Sequence, residues 1–342
     1  DSHLPYPDGD PHPDRVDVNR PEQRVTLHRE NPLILFNIVV SIEWDADKVY
    51  LDSIGRAFQH ASDYLYDVTD GQMAFGEVHI FDNGEHWADA DFQISTKNTV
   101  RPYAYVGGIT SEDTAHAIRV GRYWDGESGN QGKWEGPNGY RTLIHEFGHY
   151  ALNLYDEYYV RTVDSQGHFT GQKNSACTDL DIVGTDDNPT NASIMYYQYN
   201  ASELADDDRW STPCKNTEQD RVNGGSDWAT VVQHYSDNNS TPRWFINRPK
   251  ERGSVMAGPQ SFPDTLLPFP EINIDPESLT GESPREVTVL SQNKSSFSNA
   301  LVALYTTPGE YTIAIDQGLT DQFGRLTVYG ALEDDTIQVA SL

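Results

Sequence analysis

Lysine and arginine are scarce in this chain: 24 against 53 aspartates and glutamates, a formal net charge of −29 over 342 residues. The imbalance excludes generic nucleic-acid binding, which needs clustered cations to neutralise phosphates. It suits a soluble, secreted, salt-adapted protein, solubility being the simplest reason for it, and it would favour basic peptides among substrates. Cysteine is nearly absent as well. Cys177 and Cys214 are the only two, and they form no CxxC pair, which argues against a cysteine zinc site. An even count in a secreted protein instead points to one disulfide. The loop it would close contains Met195, one of only three methionines, and closure would stabilise by about 3–4 kcal/mol in the chain-entropy account. No stretch approaches the ~20 apolar residues of a membrane span, and no signal peptide or internal repeat is visible. The chain begins at Asp1 rather than Met, as a mature form or a fragment without its targeting segment does. The expected location is secreted or cell-surface.

What is present is concentrated in one string, His145-Glu146-Phe147-Gly148-His149, followed by Asn153, Asp156 and Glu157. It reads HExxH. On a helix, positions i and i+4 share a face, so both histidines can address one ion, with Glu146 beside the open coordination position as a base for water. A solvated surface helix would not carry Leu143, Ile144, Phe147 and Leu152 around the histidines. Asp156 follows at a distance suited to a third ligand after a sharp turn. Asn153 stands where the turn must fall, and Asn tolerates the left-handed backbone better than any residue but Gly. The reading is a zinc site of His145, His149 and Asp156. With Asp156 in place of a third histidine the site keeps less positive charge. Glu157 is either a group that orients a ligand histidine or a member of a surface charge pair. Asp186-Asp187 and Asp206-Asp207-Asp208 are candidates for Ca2+, but neither has the spacing of a calcium loop, and a solvated surface is the simpler reading.

Later in the chain Ser193-Ile194-Met195-Tyr196-Tyr197 reads SxMxY. It resembles the Met-turn of the metzincin zinc peptidases, which implies that Met195 floors the site and that Tyr197 stands near the metal. Read from residue type alone, Met195 is a core methionine and Tyr197 a packed tyrosine with its hydroxyl bonded. The usual metzincin string is one residue shorter before its last ligand. The string here, HExxHxxxNxxDE, is similar to that of the N-terminal catalytic domain of the calcium-activated chloride channel regulator family, HExxHxxxGxxDE. Ala61 to Thr69, the SIM of the turn and Ser226-Asp227-Trp228 are similar too, and the likeness covers roughly His28 to Tyr235. It implies a secreted, bacterial-type zinc peptidase with ligands His145, His149 and Asp156 and catalytic Glu146. The chain departs from the family at Asn153, where the family has Gly. It also lacks a recognisable von Willebrand factor A domain, so channel regulation is not carried over. Self-cleavage is an expectation that comes only from the resemblance.

The pattern along the chain is α+β: a metzincin-like mixed, twisted sheet with a zinc-binding helix and Met-turn, followed by a small all-β, sandwich-like module. Residues 1–30 read as an extended arm, in which His3 and His12 are best taken as parts of a polar tail. Residues 31–245 form the peptidase domain. There Leu33 to Ile42 is a buried central strand, and Ala46 to Thr69 is a helix sharing Val49, Ile54, Phe58, Ala61, Leu65 and Val68 on one face, ended by Gly71. Met73 to Phe81, Phe92 to Ser95 and Arg101 to Val106 are further strands. Ala115 to Trp124 is a strand at the sheet edge against which a peptide could lie. A Gly-rich loop, Gly126 to Gly139, precedes the zinc helix. Tyr158 to Arg221 shows little regular pattern, and Asp227 to His234 is a helix with Trp228, Val231 and Val232 inward. Residues 246–283 are a Pro-rich linker. Residues 284–342 hold short strands at Glu286–Leu290, Ala300–Tyr305, Tyr311–Ile315, Leu326–Tyr329 and Thr336–Val339, with turns at Pro308-Gly309 and Asp321–Gly324. This module resembles those appended to secreted bacterial enzymes, and it stops abruptly at Leu342, as a piece of a longer array does.

The expected activity is hydrolysis of a protein or peptide substrate by a zinc endopeptidase. Two other readings stay open: a zinc hydrolase of cell-wall peptide crosslinks, and a non-enzymatic secreted binding or adhesion protein that keeps a structural zinc. Glu146 weighs against the second, since a positioned base has no structural need to be there. Specificity, natural substrate and oligomeric state are not legible in these residues.

Overall fold

The structure, a computed structural model, describes residues 6–7, 25–26, 33–111, 116–124, 132–175, 177, 193–199, 201, 203–207, 210, 212–237, 270–275, 284–306, 312–333 and 335–341. His3, His12, Asp186, Asp187, Asp208 and the Pro308-Gly309 turn lie outside them. From the expected arm only β1 (Tyr6–Pro7) and β2 (Val25–Thr26) are described, as an antiparallel pair.

The apolar run at Leu33 forms β3 (Ile34–Ile42), followed by α1 (Lys48–Val68) and β4 (Met73–Phe81). Asp47 starts α1 by accepting the N–H groups of Val49 and Tyr50, which satisfies donors the first turn leaves without helical partners. Leu51, Ile54, Phe58, Ala61, Leu65 and Val68 line its buried stripe. Val49 does not belong to that stripe and is 76% exposed. Leu51 takes the position before Ile54, and at about 3.6 residues per turn Val49 falls on the far side of the helix from it. Gly71 closes the end, its N–H donating to Tyr66 O at 2.8 Å.

β5 (Phe92–Ser95) and β6 (Ile118–Gly121) extend the sheet on one side of β3. The sheet order is β6-β5-β3-β4 and then β9 (Glu271–Ile274), with β3 in the middle as its apolar sequence requires. Every ladder is parallel, so the sheet is not the mixed one expected. β9 is a second departure, because it comes from the segment read as a linker. Its backbone pairs along Glu77 to Ile80 of β4, and the prolines on either side of it, Pro270 and Pro276, are what hid it in the sequence. Arg101 to Val106 is not a strand; Tyr103 alone makes a two-way antiparallel bridge with Arg119 of β6. That bridge also occupies part of the outer edge of β6 where a peptide was expected to lie.

Between the HExxH string and residue 237 the described residues are more regular than their composition indicates. α2 (Pro137–Tyr150) leads to a hairpin, β7 (Tyr159–Val163) and β8 (Phe169–Asn174). Then come α3 (Ile194–Tyr197), α4 (Glu218–Asn223) and α5 (Asp227–Val232). Trp228 and Val231 are buried and Val232 half-buried. The C-terminal strands follow expectation: β10 (Arg285–Thr288) pairs with β13 (Arg325–Val328), and β11 (Ala300–Thr306) lies between β12 (Ile313–Leu319) and β14 (Thr336–Ser341), all antiparallel. Their core is not separate. Val302, Leu304, Ile315, Val328 and Tyr329 belong to the same contiguous apolar cluster as β3, α1 and α2. No helix among the described residues is long and apolar enough to cross a membrane.

Candidate metal centre

α2 begins with Pro137 after the N-cap Gly136, a position where proline's missing N–H costs nothing. From Gly139 to Tyr150 every residue of the helix is buried, so the HExxH string sits inside the molecule rather than on a wet face. His145 and His149 lie side by side with ring centroids 4.9 Å apart. Each ring is fixed through its other nitrogen. His145 Nδ1 meets Ile194 O at 2.8 Å, and His149 Nδ1 meets Leu154 O at 2.7 Å. A carbonyl can only accept, so Nδ1 carries the proton and the lone pair of the neutral ring is on Nε2.

The backbone after α2 brings the third group in. Asn153 takes φ +60°, the left-handed turn its type allows, and Leu154 N–H returns to Gly148 O at 3.1 Å. Tyr155 N–H donates to the side chain of buried Gln219, whose amide also holds Thr230. Asp156 then places Oδ1 3.2 Å from His149 Nε2 and 3.5 Å from His145 Nε2. Its Oδ2 accepts the Tyr158 hydroxyl at 2.9 Å. The three ligand atoms lie within 4.8 Å of one another, and among the described residues this is the one group of three or more such side chains able to hold a metal ion.

The group fits a cation on the structure's own terms. Asp156 Oδ1 is buried and accepts no well-directed hydrogen bond, an expense that native proteins avoid unless something else satisfies the atom. The Nε2 atoms of both imidazoles converge on it. Burial, and then His149, lower the pKa of His145 to about 4. Burial works against a charge on His149 too, but Asp156 and then Glu146 outweigh it and raise that pKa to about 9. Burial likewise opposes ionisation of Asp156, yet His149, His145 and Tyr158 hold its carboxyl below the ordinary range. Burial raises Glu146 to about 7, where a carboxyl both takes and gives a proton near neutrality.

His145 and Glu146 line a cavity of about 500 Å³, walled by Asn98 to Pro102 and Trp124 on one side and by Tyr158, Gln198 and Tyr199 on another. Met195 is fully buried and packs its sulfur on α2 at Gly148. Its turn is tied to the ligand segment from both sides. Ser193 Oγ donates to Glu157 Oε2 at 2.6 Å, and Glu157 N–H donates to Met195 O at 3.1 Å. Glu157 is fully buried, so it is not a surface charge; through Ser193 and Met195 it straps the Met195 turn to the segment that carries Asp156. Cys177 and Cys214 are joined in a disulfide and pack with Tyr196 in a small apolar cluster.

Tyr197 goes elsewhere. It packs on Tyr199 and on the disulfide cluster and does not line the cavity, where the tyrosines are Tyr158 and Tyr199. Sequence reasoning passed over Tyr158 and Gln219. Tyr158 was in view, two residues beyond Asp156, whereas nothing local marks Gln219. The acids at 206 and 207 are not grouped as ligands among the described residues. Asp207 accepts the hydroxyl of Ser226, the N-cap of α5, and Asp206 O accepts Trp210 N–H.

No protein family matches the chain, and no curated protein matches it.

Proposed function

We propose that this protein is a secreted zinc-dependent endopeptidase, of the metzincin-like kind that its HExxHxxxNxxDE string resembles. The observation that carries the reading is a His145–His149–Asp156 group able to hold a metal ion, whose His145 lines one cavity with a carboxyl, Glu146, that burial has raised to a pKa of about 7. His145, His149 and Asp156 would hold the ion through Nε2, Nε2 and Oδ1. A bound zinc ion would supply Lewis acidity, lowering the pKa of water and polarising a carbonyl. Glu146 takes the proton of the attacking water and returns it to the leaving amine nitrogen. Ile194 O and Leu154 O hold the two rings in the tautomer that presents Nε2. The cavity receives the scissile segment, and its buried floor excludes bulk water from Glu146. The disulfide supports a life outside a reducing compartment.

The test is paired: metal content of the purified protein, and cleavage of an unfolded protein by wild type and by Glu146→Gln. About one zinc per chain, with cleavage falling by a factor of ~10² to 10⁴ in the variant, is the expected result. Failure to bind zinc when it is supplied would overturn the ligand assignment. Stoichiometric zinc with no cleavage of proteins or of cell-wall peptides would overturn the enzyme.

A further inference from the structure

The C-terminal β module contacts the unit that carries His145 and Glu146 around Arg122, and that contact connects to the cavity wall. Tyr329, just after β13, is pinned inside its module by Gln317, which accepts its N–H at 3.0 Å and donates to its carbonyl at 3.1 Å. Its ring lies under the guanidinium of Arg122, with Arg122 Cζ 3.6 Å from the ring centroid. Arg122 is buried, and its Nη1 donates to Thr96 O at 2.7 Å. The next residue, Tyr123, donates its N–H to Asn98 Oδ1 at 2.8 Å. Lys97 reaches into the module to Asp316 at 2.9 Å. The two units meet backbone to backbone: at Gly330, φ +69°, a β-carbon would stand 2.9 Å from Asp45 N. Thr96 to Asn98 lead directly into Asn98 to Pro102, the irregular segment that walls the cavity holding His145 and Glu146.

We propose that the β module is a working part of the substrate cleft: Tyr329 positions Arg122, and Arg122 with Tyr123 holds the 96–102 segment in the shape that receives a polypeptide. An irregular segment at a sheet edge has few ladder bonds to fix it. A desolvated guanidinium stacked on a ring and bonded to a carbonyl supplies the missing restraint. The module therefore sets affinity for an extended substrate and leaves the ion-holding group untouched. Tyr329 and Arg122 are positioning residues, since neither lines the cavity. This rests on the peptidase reading for the word substrate, but not for the restraint itself.

The experiment compares the full chain with Tyr329→Ala, Tyr329→Leu and Tyr329→Phe by amide hydrogen exchange, zinc titration and peptide hydrolysis. Expected is exchange about tenfold faster over 96–102 in the Ala and Leu forms, the factor that goes with losing a buried cation–ring contact. Exchange in α2 and zinc affinity stay at wild-type values, KM rises more than kcat falls, and Phe, which keeps the ring under Arg122 and loses only the contact of the Tyr329 hydroxyl with that of Tyr123 at 3.3 Å, restores most of it. Should the Ala form not fold, the Leu form, which keeps apolar bulk under Arg122, decides by the same comparison. Unchanged exchange over 96–102, or an equal rise in 96–102 and α2, overturns the proposal. The exchange measurement needs no turnover, so a protein that cleaves nothing would sink the peptidase reading and still test the restraint.

Discussion

The sulfur of Met195 occupies the space that a side chain at position 148 would need: a β-carbon on Gly148 would stand 2.8 Å from Met195 Sδ and 3.5 Å from its methyl carbon. The contact lies on α2 between the two histidines, so it fixes how far the Met195 turn stands from the ion-holding face. Met195 is fully buried, so its side chain can yield only by repacking its neighbours. Gly148→Ala would gain roughly 1 kcal/mol of helix propensity and lose about 1–3 kcal/mol to overpacking. We expect net destabilisation in thermal melts, with weaker zinc binding because Ile194 O, one residue from Met195, steers His145. In a cycle with Met195→Ala the two substitutions should be non-additive, each costing less in the presence of the other. Additivity would show that the contact carries no coupling.

Metal binding should release a proton, and the sign follows from His149. Asp156 lies below its ordinary pKa and is ionised, and His145, at about 4, is neutral. Glu146, at about 7, has largely lost its proton by pH 8. His149, at about 9, still carries one on the nitrogen the ion needs. Below about 9 the ion must displace that proton, so apparent affinity rises about tenfold per pH unit and levels off above it. Titration calorimetry at pH 8 in buffers of different ionisation enthalpy should report close to one proton released per ion. Zero protons would mean that His149 is neutral in the ion-free site.

Tyr158 leaves Asp156 one oxygen for the ion. Its hydroxyl occupies Oδ2 at 2.9 Å, while Oδ1 faces the histidines. Tyr158→Phe keeps the ring, which packs on Tyr159 at 4.6 Å, and removes only the donor. Outer hydrogen bonds of this kind are worth about 10–100-fold in metal affinity. We expect a loss toward the lower end, with the melting temperature of the ion-free protein little changed, and an altered visible spectrum of the cobalt-substituted form as the carboxylate turns. An unchanged affinity and spectrum would assign Tyr158 to packing.

The parts of this molecule legible in its sequence are those whose physics is local. The i, i+4 histidines, the left-handed Asn153, the apolar run of β3 and the stripe of α1 each declare themselves within one element. The disulfide needed only a count. What was hidden depends on partners distant in the chain. Four residues, Glu271–Ile274, between prolines look like linker until β4 offers them a ladder. Tyr329 reads as one more strand residue until Arg122 is beneath its ring. Glu157 reads equally as a histidine-orienting group or a surface acid because nothing in its neighbours shows that Ser193 will reach it. The role of Tyr197 came from a resemblance alone, and its packing on Tyr199 and the disulfide cluster depends on partners that its own pentad does not name.

Asn153 tests whether backbone or side chain matters at the turn into the third ligand. Its φ of +60° is a conformation that Gly adopts freely and that costs other residues about 1–2 kcal/mol. The residue after it, Leu154, supplies the carbonyl that orients His149, so strain here is transmitted straight to a ligand. If backbone geometry is the requirement, Asn153→Gly should leave stability and zinc affinity nearly unchanged. Asn153→Ala should then lose about 1–2 kcal/mol in chemical denaturation and weaken zinc binding with it. The side chain offers a rival account, because its amide reaches Ala151 O at 3.4 Å and its oxygen lies beside Gly107, whose N–H caps His149 O. Were that packing decisive, Gly and Ala would be equally damaging, and the turn would depend on the Asn153 amide rather than on left-handed backbone.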